Sequence, residues 1–164
     1  MKFVLAAVLI FILQGYGFSQ LSQLGDSVDQ LKARYGDPYA TTKNKTAYGF
    51  KKDKNDFIFM FKENSAYGVM IKCDETSRKT DFSEKEIWEL LKTIQPEDDS
   101  HKWEEVTGFV TEEDRAKGDR IFAFDGAESL VGMYVKEDNS VLVVFSKDLM
   151  ELRKAAVDVV MFKE

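Results

Sequence analysis

Two stretches of this 164-residue chain share one pattern, Phe57-Ile58-Phe59-Met60-Phe61-Lys62-Glu63-Asn64-Ser65 and Leu130-Val131-Gly132-Met133-Tyr134-Val135-Lys136-Glu137-Asp138-Asn139-Ser140. Each is an apolar run of strand length that ends in a polar turn containing Asn and Ser. Alternate residues of a strand point to opposite faces, and in the first stretch both sets are apolar. A repeated unit of this kind predicts that the chain is built from two similar halves.

A helix start precedes each stretch at a comparable place. Ser27 with Gln30, and Ser83 with Glu86, have the spacing of a capping box, in which the cap and the third helical residue satisfy each other's backbone N–H groups. Polar turns then divide each following segment into three short apolar runs, which predicts a three-stranded antiparallel meander. The predicted strands are 46–51, 56–62 and 66–73 in the first unit and 120–124, 130–136 and 140–145 in the second.

The spacing of the two copies is explained by one insertion. The helix starts differ by 56 positions and the central strands by 73, so the second unit carries 17 additional residues. These fall in the acidic connection 95–118. We therefore predict an α+β fold of two αβββ repeats whose helices lie on one face of an antiparallel sheet. Convergence of two unrelated units on this common pattern is the alternative.

The N-terminal residues predict export. Lys2 is followed by an apolar run of 11 residues, 3–13, and then by the small residues Gly17 and Ser19 before Gln20, as in a cleaved signal peptide. The run is shorter than the about 20 residues that span a bilayer, so we expect no stable membrane span after cleavage. The expected location is secreted or periplasmic.

The C-terminal residues predict a closing helix. Ser146 is a candidate cap, and we expect the helix to cover the sheet. The apolar stripe of this helix consists of Leu149, Leu152, Ala156 and Val159. Alternatively, residues 159–162 form a short terminal strand. The predicted layout is a signal peptide at 1–19, a first unit at 20–79, a second unit at 80–145, and a closing helix and tail at 146–164.

The ends of the first helix carry a resemblance to a known fold. The helix is entered through Leu24-Gly25-Asp26-Ser27, contains Leu31 and leaves through Tyr35-Gly36-Asp37-Pro38. A two-turn helix of this kind, followed by a meander and then repeated, resembles the β-lactamase-inhibitor-protein-like fold and the related small outer-membrane lipoprotein assembly factors, over about residues 21–145. The resemblance implies a curved sheet with helices on its convex side and a concave face free for a partner. The chain has neither a lipidated Cys nor the inhibitor's disulfides, since Cys73 is its one cysteine, so neither activity is carried over.

The net charge and the residue types argue against several classes of function. The chain has 29 acidic and 23 basic residues and a net charge of −6, which argues against binding to nucleic acid or to anionic membranes. A metal site from Asp98, Asp99 and His101 is conceivable, but His101 is the one histidine and a solvated loop explains it better. We predict no cofactor and no catalytic residue.

The remaining candidate is a surface. If the phenylalanines of the strand 56–62 face the helices, the opposite side of the sheet carries apolar residues suited to a protein or peptide partner. Cover by the closing helix or by a second subunit is the alternative, and the oligomeric state is left open. We predict an exported, non-catalytic binding module, associated with the cell envelope; the alternative is a hydrolase whose carboxylates converge only on folding. The predicted partner-binding residues are Ile58, Met60, Met70, Val131, Met133 and Trp103.

Overall fold

Eight antiparallel strands form one sheet in the order β1-β2-β3-β4-β8-β7-β6-β5. The structure is a computed structural model, and it describes residues 23–73, 81–95, 101–125 and 129–148. The α+β class and the antiparallel sheet predicted from the sequence are confirmed. The helices are α1 (Val28–Tyr35), α2 (Glu84–Ile94) and α3 (Glu112–Lys117). The strands are β1 (Ala40–Thr41), β2 (Ala47–Lys52), β3 (Asn55–Lys62), β4 (Ser65–Cys73), β5 (Trp103–Glu105), β6 (Arg120–Phe124), β7 (Leu130–Val135) and β8 (Ser140–Phe145).

Both predicted capping boxes are formed. Ser27 and Gln30 bond reciprocally at the start of α1, and Ser83 and Glu86 do so at the start of α2. Gly36 follows α1 with φ of 83°, a backbone conformation that glycine adopts without steric cost, and its N–H donates to the carbonyl of Lys32. Local capping residues therefore set the starts of both helices and the end of α1.

The hairpin turns follow from their residue types. Glu63 and Asn64 both have positive φ, 50° and 69°, as a two-residue turn between antiparallel strands requires. They join Lys62 to Ser65, the last pair of the β3–β4 ladder. All six strands predicted from the sequence are present, with limits that agree to within one residue.

Two short strands and one helix were not predicted. β1 and β5 lie at the two edges of the sheet, so each half has four strands and not three. β5 and α3 both lie within residues 95–118, which we had interpreted as a connection. β5 has only three residues, of which two are glutamates, and so carries no alternating apolar pattern. Its pairing with β6, from Trp103 opposite Phe124 to Glu105 opposite Phe122, makes it a strand.

The two halves meet at the centre of the sheet. β4 pairs with β8 from Gly68 opposite Val144 to Lys72 opposite Ser140. On one side of this junction α1 precedes β1 to β4, and on the other α2 precedes β5 to β8, with α3 inserted between β5 and β6. In the first half Phe57 lies opposite Ile71. The sheet is thus continuous across the two halves through a single pair of strands.

Helices α1 and α2 pack on one side of the sheet, which we call the helix face. The ring of Tyr35 in α1 lies with its centroid 5.7, 5.2 and 5.6 Å from those of Phe50, Phe57 and Phe59. On β7 a Cβ atom added to Gly132 would lie 2.7 Å from Cδ2 of Leu91 in α2, so glycine allows this helix to approach the sheet. We call the opposite side the far face.

The predicted signal peptide, 1–19, and residues 149–164 of the predicted closing helix lie outside the described residues. At the start of the latter segment Ser146–Asp148 forms one turn of 3-10 helix. None of the helices in the four described ranges has the length and apolar character needed to cross a bilayer.

Candidate binding surface

Five of the six predicted partner-binding residues lie together on the far face. Ile58 of β3 is opposite Met70 of β4, Met70 is opposite Leu142 of β8, and Leu142 is opposite Met133 of β7. Directly opposed residues in an antiparallel sheet project to the same side, and neighbouring strands lie about 4.8 Å apart. These four side chains therefore form one continuous apolar row across four strands.

A second apolar row lies beside the first. Met60 is opposite Gly68, Gly68 is opposite Val144, and Val144 is opposite Val131. A Cβ atom on Gly68 would lie 2.8 Å from Cε of Met60 and 3.5 Å from Cγ2 of Val144, so the Met60 methyl group fills the space that glycine leaves. The two rows join into a single apolar surface from β3 to β7.

Exposure differs across this surface. The side chains of Ile58, Met60 and Leu142 are 7%, 2% and 7% exposed and Val144 is 0% exposed. In contrast, Met70, Val131 and Met133 are half-buried and pack against the hydrophobic core. The methionines at 70 and 133 flank Leu142 in the first row. Together with Val131, these two flexible, polarisable side chains are therefore the accessible part of the surface.

Trp103 lies elsewhere. Its side chain is 6% exposed, and its Nε1 donates a hydrogen bond of 3.0 Å to the backbone carbonyl of Leu91 in α2. Its ring centroid is 5.5 Å from that of Phe124. Trp103 thus belongs to the packing between α2 and the helix face, and the structure does not bring it together with the other five predicted residues.

Leu142 and Val144 belong to the surface but were absent from the predicted set. β8 reads Ser140-Val141-Leu142-Val143-Val144-Phe145, in which apolar residues occupy both faces. Alternation alone therefore gives no means of assigning its residues to a face. Pairing with Met70 and Met133 assigns Leu142 to the far face, but these partners are known only when the strand order is known.

The predicted metal site is only partly described. Asp98 and Asp99 lie outside the described residues, so their grouping with His101 stays a prediction. The imidazole of His101 makes an edge contact with Phe124, with 6.2 Å between ring centroids. Within the four described ranges, no three His, Cys, Asp or Glu side chains are grouped so that they could hold a metal ion.

One carboxylate with a perturbed pKa lies at the entry to α1. Asp26 is 3% exposed, and its burial raises the pKa of the carboxyl group, while the positive charge of Arg34 opposes that shift. Arg34 Nη2 lies 3.3 Å from Asp26 Oδ2, which is within ion-pair distance. The geometry of this contact is not that of a hydrogen bond. The backbone carbonyl of Asp26 accepts from the N–H of Ala66. These contacts fix the entry to α1 against the sheet.

A second charged group ties β5 and β6 to the start of α2. Arg120 donates two hydrogen bonds to Glu105, from Nε at 3.0 Å and from Nη2 at 2.6 Å, and its Nη2 also lies 3.3 Å from Glu84. The hydrogen bond from Arg120 is the main reason that the pKa of Glu105 is lowered. Because Glu105 is held as an ionised partner of arginine, it is poorly suited to donate a proton in a reaction.

The fold and surface define an α+β protein with one antiparallel sheet, α1 and α2 on one face and an apolar surface on the other. Comparison of the chain with protein-family models, with curated proteins and with solved structures gave no match. The resemblance to β-lactamase-inhibitor-protein-like folds stays a prediction.

Proposed function

We propose that this chain is an exported, non-catalytic module that binds a protein or peptide through the far face of its sheet. The observation that carries the proposal is the row formed by Met70, Leu142 and Met133. Its two methionines are half-buried, so part of each side chain is available for contact. Methionine is unbranched and polarisable, and such side chains adapt to partners of different shape.

The chemistry of the surface favours an apolar or amphipathic partner. The two rows, from β3 to β7, contain only Ile, Met, Leu, Val and Gly. They supply area for hydrophobic contact and no group that could act as a nucleophile or as a general acid. A hydrolase would need carboxylates that converge, whereas Asp26 and Glu105 each face an arginine. Binding therefore accounts for this face better than catalysis does.

We also propose that the two halves arose as two copies of one helix-plus-meander unit, each with a short edge strand added. The shared order of helix and strands supports this. In both halves the helix precedes the meander. The binding surface is then built jointly by the two copies, from the strands nearest their junction.

Location outside the cytoplasm is part of the proposal. It rests on Lys2, the apolar run 3–13 and the small residues Gly17 and Ser19. The resemblance to inhibitor-like and assembly-factor-like folds agrees with an exported binder. N-terminal sequencing of the protein recovered from the expressing cells would give the cleavage point, which we expect before Gln20.

Affinity capture with matched variants tests the binding proposal. The bait is the chain from Gln20 to its C terminus, and the envelope fraction is the source of partners. The test variant combines Met70→Gln with Met133→Gln, and the control combines Glu89→Gln with Lys92→Gln on the exposed side of α2. We expect a partner that the wild type and the control retain and the methionine variant loses. Identical retention by all three, confirmed with the purified partner, would contradict the proposal.

A further inference from the structure

The edge of the sheet formed by β1 and β2 is rich in lysine, although the chain as a whole is acidic. We call residues 39–54 the basic edge. We propose that the basic edge binds an acidic segment of a protein partner, with the ring of Tyr39 as the apolar anchor. This inference rests on the proposed function, since it names the chemistry of the partner and adds a contact beside the far face.

The two halves of the sheet differ in charge. Residues 23–73 contain nine basic and six acidic residues, so the first half is positively charged. The described residues between 81 and 148 contain eight basic and 14 acidic residues, so the second half is negatively charged. The net negative charge of the chain therefore does not apply to the first half, which can attract anionic groups.

Lysines are concentrated at the basic edge. Residues 42–54 contain one acidic residue, Asp53. Lys51 Nζ lies 3.7 Å from Asp56 Oδ1, and the Lys51 side chain is still 55% exposed. Five exposed lysines lie in β2 and in the turns at its two ends: Lys43, Lys45, Lys51, Lys52 and Lys54. An acidic segment along this edge can therefore contact several ammonium groups at once.

Tyr39 provides an apolar contact beside these lysines. Of the large apolar side chains whose exposure the structure describes, only that of Tyr39 is exposed, at 50%. Its backbone N–H donates a hydrogen bond of 2.9 Å to the carbonyl of Gly49, and a Cβ atom on Gly49 would lie 2.9 Å from Cζ of the ring. Lys51 Nζ is 5.4 Å from the ring centroid. Because these contacts hold the ring in place, it loses little conformational entropy when a partner binds.

The ring of Tyr39 also extends the far face. Gly49 is opposite Ile58, so a side chain at Gly49 would project to the far face, and the ring occupies that position. Ile58 is in turn opposite Met70 in the first apolar row. Gly49 and Met70 are two strand spacings apart, or about 10 Å. A partner that contacts Met70 can therefore reach Tyr39 and place acidic residues beside the lysines.

The distribution of charge favours a short acidic segment over a membrane or a nucleic acid. The exposed cations of the basic edge are all lysines, whereas arginine is favoured where phosphate groups are bound by paired hydrogen bonds. An extended anionic surface would also approach the negatively charged second half, because that half belongs to the same sheet. A short acidic segment can bind the basic edge and remain clear of the second half.

Peptide titration of the full chain from Gln20 tests the proposal. The probe is a synthetic peptide in which one phenylalanine lies between two short runs of glutamate, and its control has glutamine in place of glutamate. We expect the acidic peptide to shift the backbone amide NMR signals of residues 39–54, and its binding to weaken as the salt concentration rises. Equal binding of the two peptides, or shifts confined to other residues, would overturn the proposal.

Matched variants separate the basic edge from the net charge. The test variant combines Lys51→Gln with Lys52→Gln, and the control combines Lys85→Gln with Lys92→Gln, which changes the net charge equally on the exposed side of α2. We expect the dissociation constant of the acidic peptide to rise several-fold in the test variant and in Tyr39→Ser, and to stay at the wild-type value in the control. Tryptophan fluorescence verifies that each variant is folded. Equal affinities of the folded test and control variants would contradict the proposal.

Two further measurements identify what occupies the basic edge. Equally tight binding to vesicles of anionic lipid, lost in the variant of Lys51 and Lys52, would assign the edge to a membrane and overturn the proposal. Self-association of the chain in sedimentation, lost in the same variant, would assign it to a second copy and overturn it too. Retention of the captured partner by the variant of Met70 and Met133 would contradict the far-face proposal alone, since the peptide titration does not depend on those methionines.

Discussion

The side-chain nitrogen of Gln23 donates a hydrogen bond of 3.0 Å to the backbone oxygen of Thr93. Thr93 lies in the last turn of α2, where backbone carbonyls have no partner within the helix. The side-chain oxygen of Gln23 accepts a hydrogen bond from the hydroxyl of Tyr35, the last residue of α1. One glutamine thus joins the ends of both helices, and it does so on the side of the sheet where they pack.

We predict that Gln23→Ala destabilises the fold by about 1 kcal/mol, since it leaves the half-buried Tyr35 hydroxyl without its acceptor. Tyr35→Phe should destabilise the fold less, because it removes the hydroxyl group itself and so leaves no tyrosine oxygen that needs an acceptor. Lys92→Ala on the exposed side of α2 serves as the control. Urea unfolding followed by tryptophan fluorescence measures all three. A loss for Gln23→Ala no greater than that of the control would contradict this role.

We predict that Asp26→Asn gains stability relative to wild type as the pH rises. Burial raises the pKa of the Asp26 carboxyl above 3.8, so the folded state holds this proton more tightly than the unfolded state does. Ionisation above about pH 4 therefore costs stability in the wild type, and asparagine cannot ionise. The free energy of unfolding of the variant minus that of wild type should increase between pH 3 and pH 7.

The control for this pH dependence is Asp29→Asn, in the exposed first turn of α1. Chemical unfolding at several pH values gives the required differences. If the difference for Asp26→Asn stays constant or falls as the pH rises, the pairing with Arg34 outweighs burial and the assignment is wrong.

We predict that Gly132→Ala destabilises the fold by about 1–3 kcal/mol through overpacking. The added Cβ would lie 2.7 Å from Leu91 Cδ2 and 3.3 Å from Trp103 Cζ3, which are closer than van der Waals contact. Gly108→Ala is a matched control, because no heavy atom lies within 4 Å of a Cβ at that position. Unfolding measurements on Gly132→Ala combined with Leu91→Ala should give a loss smaller than the sum of the two single losses.

We predict that Arg120→Gln raises the pKa of Glu105 back toward its usual value. The hydrogen bonds from Arg120 favour ionised Glu105, so the stability they add is present above about pH 4.5 and is lost as the pH falls through the lower pKa of the folded state. The pair is partly exposed, and its removal should cost about 1 kcal/mol or less at pH 7. Carboxyl titration by NMR reports the pKa directly, with Lys85→Gln as the control.

Much of the fold is predictable from local sequence signals. The strand limits are right because polar turns divide the apolar runs, and the starts of α1 and α2 are right because Ser27 and Ser83 are strong N-cap residues. The edge strands were missed because two or three residues carry no period. They are strands because they pair with β2 and β6, and no local pattern in their own residues marks them.

The binding surface was predictable only in part. The alternation in β3 placed Ile58 and Met60 on the far face correctly. Trp103 was predicted together with the other five residues, but it packs between α2 and the helix face, because a single tryptophan after an acidic loop has no neighbouring pattern that fixes its direction. Its hydrogen bond to the carbonyl of Leu91 is a contact between elements, and such contacts cannot be read from spacing along the chain.

The single junction between the halves has a consequence for how the chain folds. Hairpin pairs such as β3–β4 and β7–β8 join residues close in sequence, so each meander can form with a small entropy of loop closure. The β4–β8 ladder joins Gly68 to Val144 and Lys72 to Ser140, which are separated by most of the second half. Non-local pairing is slow. We expect the meanders to assemble first and the junction to close last, so that the rows containing Met70 and Leu142 come together only in the final step of folding.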